Sequence, residues 1–384
     1  MSKSIPSLID MLTQLIATPS VSCTAQELDM SNRPVIDLLA TWLSAIGFEI
    51  EVMPVPGYAG KYNLIATLGQ GPGGLVLSGH TDTVPFNEEK WKSNPFTLTE
   101  KDQRLYGLGS CDMKGFFALA IEAAKQFVDH PFKSPLIILA TADEESSMSG
   151  AQALADAGKP KARYAVIGEP TSLRPIRMHK GIMMEGIKIT GRSGHSSDPS
   201  LGANALDAMH KVLGELMSFR QEMQSNYRNS AFRVDVPTLN LGCIHGGDNP
   251  NRICGQCELE YDLRPLPGMD MSVLREGIYK RVKPLEAQYD VIIDCAPIFN
   301  GIPSFETAAN AELVQMAEKL TGYTADAVAF ATEAPFLQSL GMETIVMGPG
   351  SIDQAHQPDE FIALDQIRPT VDILSHMIKR YCLQ

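Results

Sequence analysis

Five residues able to ligate a divalent cation, His80, Asp112, Glu145, Glu169 and His356, stand where apolar, strand-like runs end. The clearest run is Leu75-Val-Leu-Ser-Gly-His80-Thr-Asp82. Leu136 to Glu145 and Tyr164 to Glu169 repeat the pattern, and Gly109-Ser-Cys-Asp112 and Gly348 to His356 complete the set. In open α/β sheets the carboxyl ends of the strands converge on one crevice, where ligands and catalytic groups collect. Two imidazoles and three carboxylates suit a pair of borderline dications such as zinc or cobalt. The charges also favour a pair: two dications, three carboxylates and one shared hydroxide sum to zero, whereas a single ion leaves the carboxylates repelling one another. Known two-metal sites hold their ions roughly 3.5–4 Å apart and generate hydroxide near neutral pH, which is a hydrolase nucleophile.

The neighbouring residues extend this chemistry. His80 and Asp82 are two apart on a strand end and share a face, so the Asp82 carboxylate is expected to bond the ring nitrogen of His80 that faces away from a metal. Asp112 heads the helix that carries Lys114 and could also cap it, while Cys111 reads as packing. Glu144 and Glu145 are expected to point in opposing directions from a strand end. One would ligate a metal and the other take a proton from the attacking water; the residues alone leave open which does which.

Up to about residue 180, helix and strand signals alternate. The spacing predicts helices over Ile5–Ile16, from about Ser31 to Gly47, and over Lys114–Val128. Strands are predicted at Phe48–Val55 and Tyr62–Leu68, with others ending at His80, Glu144 and Glu169. This rhythm predicts an α/β domain with a mostly parallel sheet and helices on both faces. Between Ile182 and Cys295 the order becomes strand Met183–Thr190, helix Ala203–Met223, strand Thr238–His245, strand Arg252–Leu263, helix Met271–Gln288 and strand Asp290–Cys295. That is the βαββαβ, ferredoxin-like α+β plan. After about Ile298 a helix (Ala311–Leu320), a strand (Thr344–Met347) and a last helix from about Arg368 to Tyr381 follow. His356 must return to the crevice of His80, so the middle segment reads as an insertion. The expected domains are residues 1–181 and 297–384 for the catalytic part and 182–296 for the insertion, hinged near Gly181 and near Pro297, Gly301 and Pro303.

Composition narrows the function. The chain has 384 residues, 44% hydrophobic and 20% charged, with a net charge of −13, which describes a globular protein and argues against a nucleic-acid partner. Seven cysteines without regular spacing point to a reducing compartment. Cys254 and Cys257 fall in a predicted strand and are expected on opposite sides of it. No signal peptide or membrane span is visible, so a cytoplasmic protein without a membrane partner is expected. Gly69-Gln-Gly71-Pro-Gly-Gly74 matches a dinucleotide fingerprint in form only, because a strand rather than a helix follows it.

These segments, together with Gly194-His195-Ser-Ser-Asp-Pro199, Asn240 to Asp248, Arg264-Pro-Leu-Pro-Gly268, Thr332-Glu-Ala-Pro335 and Gly348-Pro-Gly-Ser351, resemble the zinc-dependent aminoacylase and desuccinylase family of co-catalytic metallohydrolases, nearly end to end. The resemblance implies a homodimeric metal-dependent hydrolase of a small N-acyl amino acid, carrying two divalent ions, zinc or cobalt. It implies that Asp112 bridges the ions, that His80 and Glu169 hold one and Glu145 and His356 the other, that Glu144 is the general base and that Asp82 orients His80. His195 is implied as a donor to the tetrahedral oxyanion, contributed across a dimer. Arg264, Asn251 and Gly350 are candidates for gripping the substrate carboxylate; a plain ion pair is the other reading of Arg264. Leu108 stands where the wider family often has Arg, which weakens assignment to the desuccinylase or peptidase branches and leaves the metal set intact. The remaining readings are a broader N-acyl-amino-acid deacylase, a succinyl-diaminopimelate desuccinylase, a dipeptidase, or a metal-bearing binding protein without turnover.

Overall fold

The computed structural model describes residues 5–384. The chain forms two compact units: one holds the residues up to Arg177 with Thr307–Asp326 and Thr332–Gln384, the other Met178–Glu306 with Ala327–Ala331. The crossings at 177/178 and 306/307 differ from those expected at 181/182 and 296/297, and residues 327–331 return to the smaller unit. The glycines and prolines chosen as hinges therefore lie inside the smaller unit.

The larger unit is built on a sheet in the order Glu49–Pro54, Tyr62–Leu68, Leu136–Thr141, Leu75–His80, Tyr164–Pro170, Glu343–Gly348. The last four strands pair in parallel and the first two antiparallel. A parallel sheet is covered on both faces, so its strands are continuously apolar. Accordingly, every residue of Leu75–His80, Leu136–Thr141 and Tyr164–Pro170 is buried. Period-two alternation sends Leu75, Leu77, Leu136, Ile138 and Val166 into the main core, leaving Val76, Ile137, Leu139, Ala165 and Ile167 buried on the opposite face. The helix Lys114–Lys125 packs between Leu8–Ala17 and Leu364–Ile378, and its Phe116, Phe117, Leu119 and Ala120 are fully enclosed. A small antiparallel sheet joins Thr99–Lys101, Arg104–Tyr106 and Phe361–Ala363.

The smaller unit is an antiparallel sheet in the order Thr238–Gly246, Gln256–Arg264, Met183–Thr190, Ile292–Pro297, with the helices Ala205–Asn226 and Met271–Val282 contributing to its core. This is the ferredoxin-like arrangement. The long helix expected over Met271–Gln288 ends at Val282, and a short helix resumes at Leu285, because Pro284 cannot donate the backbone bond that would continue it. The strand expected from Arg252 starts only at Gln256. Cys254 therefore precedes it, and both Cys254 and Cys257 are buried free thiols in the same core rather than on opposite sides. Among the described residues, no helix is long and apolar enough to cross a membrane.

Candidate metal centre

His80 is the last residue of its strand, and its side chain is 1% exposed. Nδ1 lies 3.0 Å from the main-chain carbonyl of Asp82. A carbonyl only accepts, so this contact places a ring proton on Nδ1 and turns Nε2 toward the carboxylate of Asp112. The Asp82 carboxylate, expected in that place, is 3.7 Å from Nδ1. Instead it accepts the N–H groups of Glu144 (3.3 Å) and Glu145 (3.1 Å). The reason is local: the strand ends at Thr141, so the following turn has backbone donors that need an acceptor. Glu144 and Glu145 thus separate through a turn, with Asp143 and Met148 at positive φ, and not by strand alternation. Lys61, almost wholly buried, braces this turn by bonding Asp29 and Asp143 at 2.7 Å each.

The ligand atoms converge around Asp112. Its Oδ1 lies 3.1 Å from His80 Nε2 and its Oδ2 3.6 Å from His356 Nε2. Glu169 Oε1 is 3.8 Å from His80 Nε2, and Glu145 Oε2 is 2.9 Å from His356 Nε2. His80 with Glu144 and Glu169, and His80 with Asp112 and Glu145, each offer ligand atoms within 4.8 Å of one another. Asp112 does not cap the helix; Met113 occupies that position. One carboxylate with its two oxygens facing two imidazoles, each backed by a further glutamate, is the donor geometry of a pair of ions. The oxygen and imidazole donors fit borderline dications. Cys111 contributes no thiolate, since burial pushes its thiol far above the usual range.

The electrostatics show what such ions would relieve. Burial, then the charge of Glu169, pushes Glu144 well above the usual carboxylate range. Burial likewise raises Glu169, against the pull of His80, with Asp112 and Glu145 raising it further. Glu145 is raised by burial and by Asp112. For His80, burial alone would lower the pKa, but the bond to Asp112 and the charges of Glu169 and Asp82 carry it well above the usual imidazole range. Buried charges of one sign are tolerated when paired with opposite charge or a metal.

Residues 76–380 match the family model described as peptidase family M20/M25/M40. The chain belongs to that family. It is 50% identical over 383 residues to the acetylornithine deacetylase of Photorhabdus laumondii subsp. laumondii, covering 100% of this chain and 99% of that one. Its fold is similar to aminopeptidase PepT from Bacillus cereus, with a TM-score of 0.75 at 19% identity over 97% of each chain. It is also similar to the Bacillus subtilis YXEP protein, described as a dinuclear metal binding peptidase from the M20 family, with a TM-score of 0.68 at 15% identity over 97% of this chain and 98% of that one.

In this M20 chain the remaining expected residues are distributed as follows. Gly350, in the larger unit, has φ +80. Its N–H donates to Gln366 Oε1 (2.6 Å) and its carbonyl accepts from the Ser172 N–H (2.6 Å), so its backbone is already engaged. His195, Asn251 and Arg264 belong to the smaller unit. His195 is exposed, and its Nδ1 accepts the Ser197 N–H at 3.2 Å, which leaves the proton on Nε2, available to donate. The Asn251 carbonyl accepts the Ser196 N–H at 3.1 Å, so the two loops adjoin. Arg264 Nε donates to Asp262 Oδ2 at 2.8 Å.

Two buried acids escaped the sequence reading. Glu333, raised to about 7 by burial, has an Oε1 without a hydrogen-bond partner among the described residues. Its signal was the Thr332-Glu-Ala-Pro335 motif, to which no role was given. Glu360 accepts the N–H groups of Gly109, Cys111 and Asp112, and no local pattern marks it.

Proposed function

We propose that this chain deacetylates N2-acetyl-L-ornithine to L-ornithine and acetate, a step of arginine biosynthesis, as a zinc- or cobalt-dependent homodimer in the cytoplasm. The observation that carries the reading is Asp112, whose two oxygens face two imidazoles beside the half-buried Glu144. The 50% identity over the whole chain to an acetylornithine deacetylase supports the substrate. His80, Asp112 and Glu169 would hold one ion and Asp112, Glu145 and His356 the other. When bound, such ions polarise an acyl carbonyl and bring a water to a pKa near 7.

Glu144 receives the proton of the attacking water and returns it to the amide nitrogen as the C–N bond breaks, so acetate and a free amine leave. A carboxylate whose pKa burial raises above the usual range is suited to both taking and returning a proton. Asp82 sets Glu144 and Glu145 through their own N–H groups, and also turns His80 through its carbonyl. His195, contributed by a second copy of the chain, donates from Nε2 to the oxyanion, and Arg264 and Asn251 receive the substrate carboxylate.

The test is acetate release from acetylornithine before and after chelation, then with zinc or cobalt restored. Activity that is lost and recovered supports the reading; full turnover in metal-free protein sinks it. A panel with succinyl-diaminopimelate, other N-acetyl amino acids and dipeptides checks the substrate, and a higher kcat/KM on any of these displaces acetylornithine.

A further inference from the structure

We propose that Glu360 is a positioning residue that fixes the Asp112 loop to the His356 segment, so that the two ligands flanking the second ion are set as one piece. The proposal rests on the two-metal reading above.

The Glu360 side chain reaches a segment about 250 positions earlier and saturates it. Its Oε1 accepts from the Cys111 N–H at 2.8 Å and from the Asp112 N–H at 2.9 Å, and its Oε2 accepts from the Gly109 N–H at 3.0 Å. Its own carbonyl accepts the Gly107 N–H at 3.0 Å. The residue is 1% exposed, so these bonds face no competition from water and a lost one would leave a buried donor unpaired. The following residues, Phe361–Ala363, pair antiparallel with Arg104–Tyr106, just before the same loop. Four residues upstream of Glu360 stands His356, at positive φ.

Residues 107–112 belong to no helix or strand, so nothing periodic holds the Asp112 backbone. Glu360 supplies that restraint: it bonds the N–H of Asp112 itself, one residue's torsions from the carboxylate that must face both imidazoles. Outer groups that orient metal ligands typically change metal affinity or activity by about 10–100-fold when removed. The pattern of acceptors matters as well as the shape. Three N–H donors converge on two acceptor oxygens, and the amide of a glutamine would present a donor to one of them.

The experiment compares wild type, Glu360→Gln and Glu360→Ala as full-length apo proteins, measuring thermal melting, the number and affinity of zinc ions by titration, and the visible spectrum after cobalt loading. Leu313→Ala, in the core of the larger unit, serves as a destabilised control. Expected for Glu360→Gln is a cooperatively melting protein whose weaker ion binds about 10–100-fold less tightly, with an altered cobalt spectrum and a fall in kcat but little change in KM. Glu360→Ala should go further in the same direction. A folded Glu360→Gln that binds two ions with wild-type affinity and spectrum overturns the proposal. So does a spectral change that Leu313→Ala reproduces at equal loss of melting temperature. If wild type itself binds fewer than two ions, the underlying two-metal reading fails instead.

Discussion

The two halves of the proposed metal centre are built from different materials. His80 and Glu169 sit at the ends of adjacent parallel strands, and their side chains are 1% and 6% exposed. Glu145 lies in a turn and His356 in an irregular segment at φ +60 with a side chain 54% exposed. A strand end inherits its position from the ladder beside it, whereas a loop residue holds its place only through specific bonds. Asp82 and Lys61 restrain the Glu144–Glu145 turn, and Glu360 restrains the Asp112 loop. The first half is therefore rigid by architecture and the second by individual side chains.

The largest expected effect tests the proposed general base beside both halves. Glu144→Ala should lower turnover by about 10²–10⁴-fold, the usual span for a general acid–base group, while elemental analysis still finds two ions; retained turnover removes Glu144 as the base. His195→Ala should cost about 10²–10³-fold in kcat, as for one oxyanion donor, with metal content unchanged. If mixing it with Glu144→Ala subunits restores activity, the residue is shared between copies; no recovery argues against sharing.

The comparison between halves is sharpened by His80→Ala against His356→Ala. Removing His80 strands the buried carboxylates of Asp112 and Glu169, and breaking a buried pair typically costs about 3–5 kcal/mol. His356 is half open to solvent, so its removal should cost one ion and much less stability. Equal melting temperatures for the two variants would erase the distinction.

The smallest effect is a pH dependence of the chelated protein. Glu333 is raised to about 7 and Glu360 to about 8, mainly by burial, from a usual value of 4.5. In the window between 4.5 and 7–8 the folded state binds more protons than the unfolded one, so stability falls as pH rises. Melting temperatures of apo protein should therefore decline from about pH 5 to pH 7, more steeply than those of the metal-loaded form; above pH 7 the buried Lys114, lowered to about 7, works in the opposite sense. A flat or rising apo curve contradicts the sign.

Legibility in the sequence follows the same division. His80 and Glu169 were readable because a continuous apolar run announces a buried strand and a polar residue at its end is conspicuous. The smaller unit is readable for a related reason: Met183–Thr190 alternates buried positions with exposed or half-buried ones. The turn after Thr141 carries no periodic signal, so its N–H groups, which the Asp82 carboxylate accepts, are invisible in the spacing of His80 and Asp82. Pro284 is itself the local signal that divides the helix expected over Met271–Gln288.

The sequence by itself determined the candidate ligand types, the strands that carry two of them and the order of the main elements, since each is written in local periodicity or composition; the short strands Thr99–Lys101, Arg104–Tyr106 and Phe361–Ala363 and the helix Ser149–Ala157 carried no such signal. Tertiary structure alone decided that Asp82 accepts from Glu144 and Glu145 across 62 and 63 positions and that Glu360 reaches Asp112 across 248. Such bonds form because burial leaves loop N–H groups without water and any acceptor nearby in space must take them. Proximity in space between distant segments leaves no spacing in the chain to read.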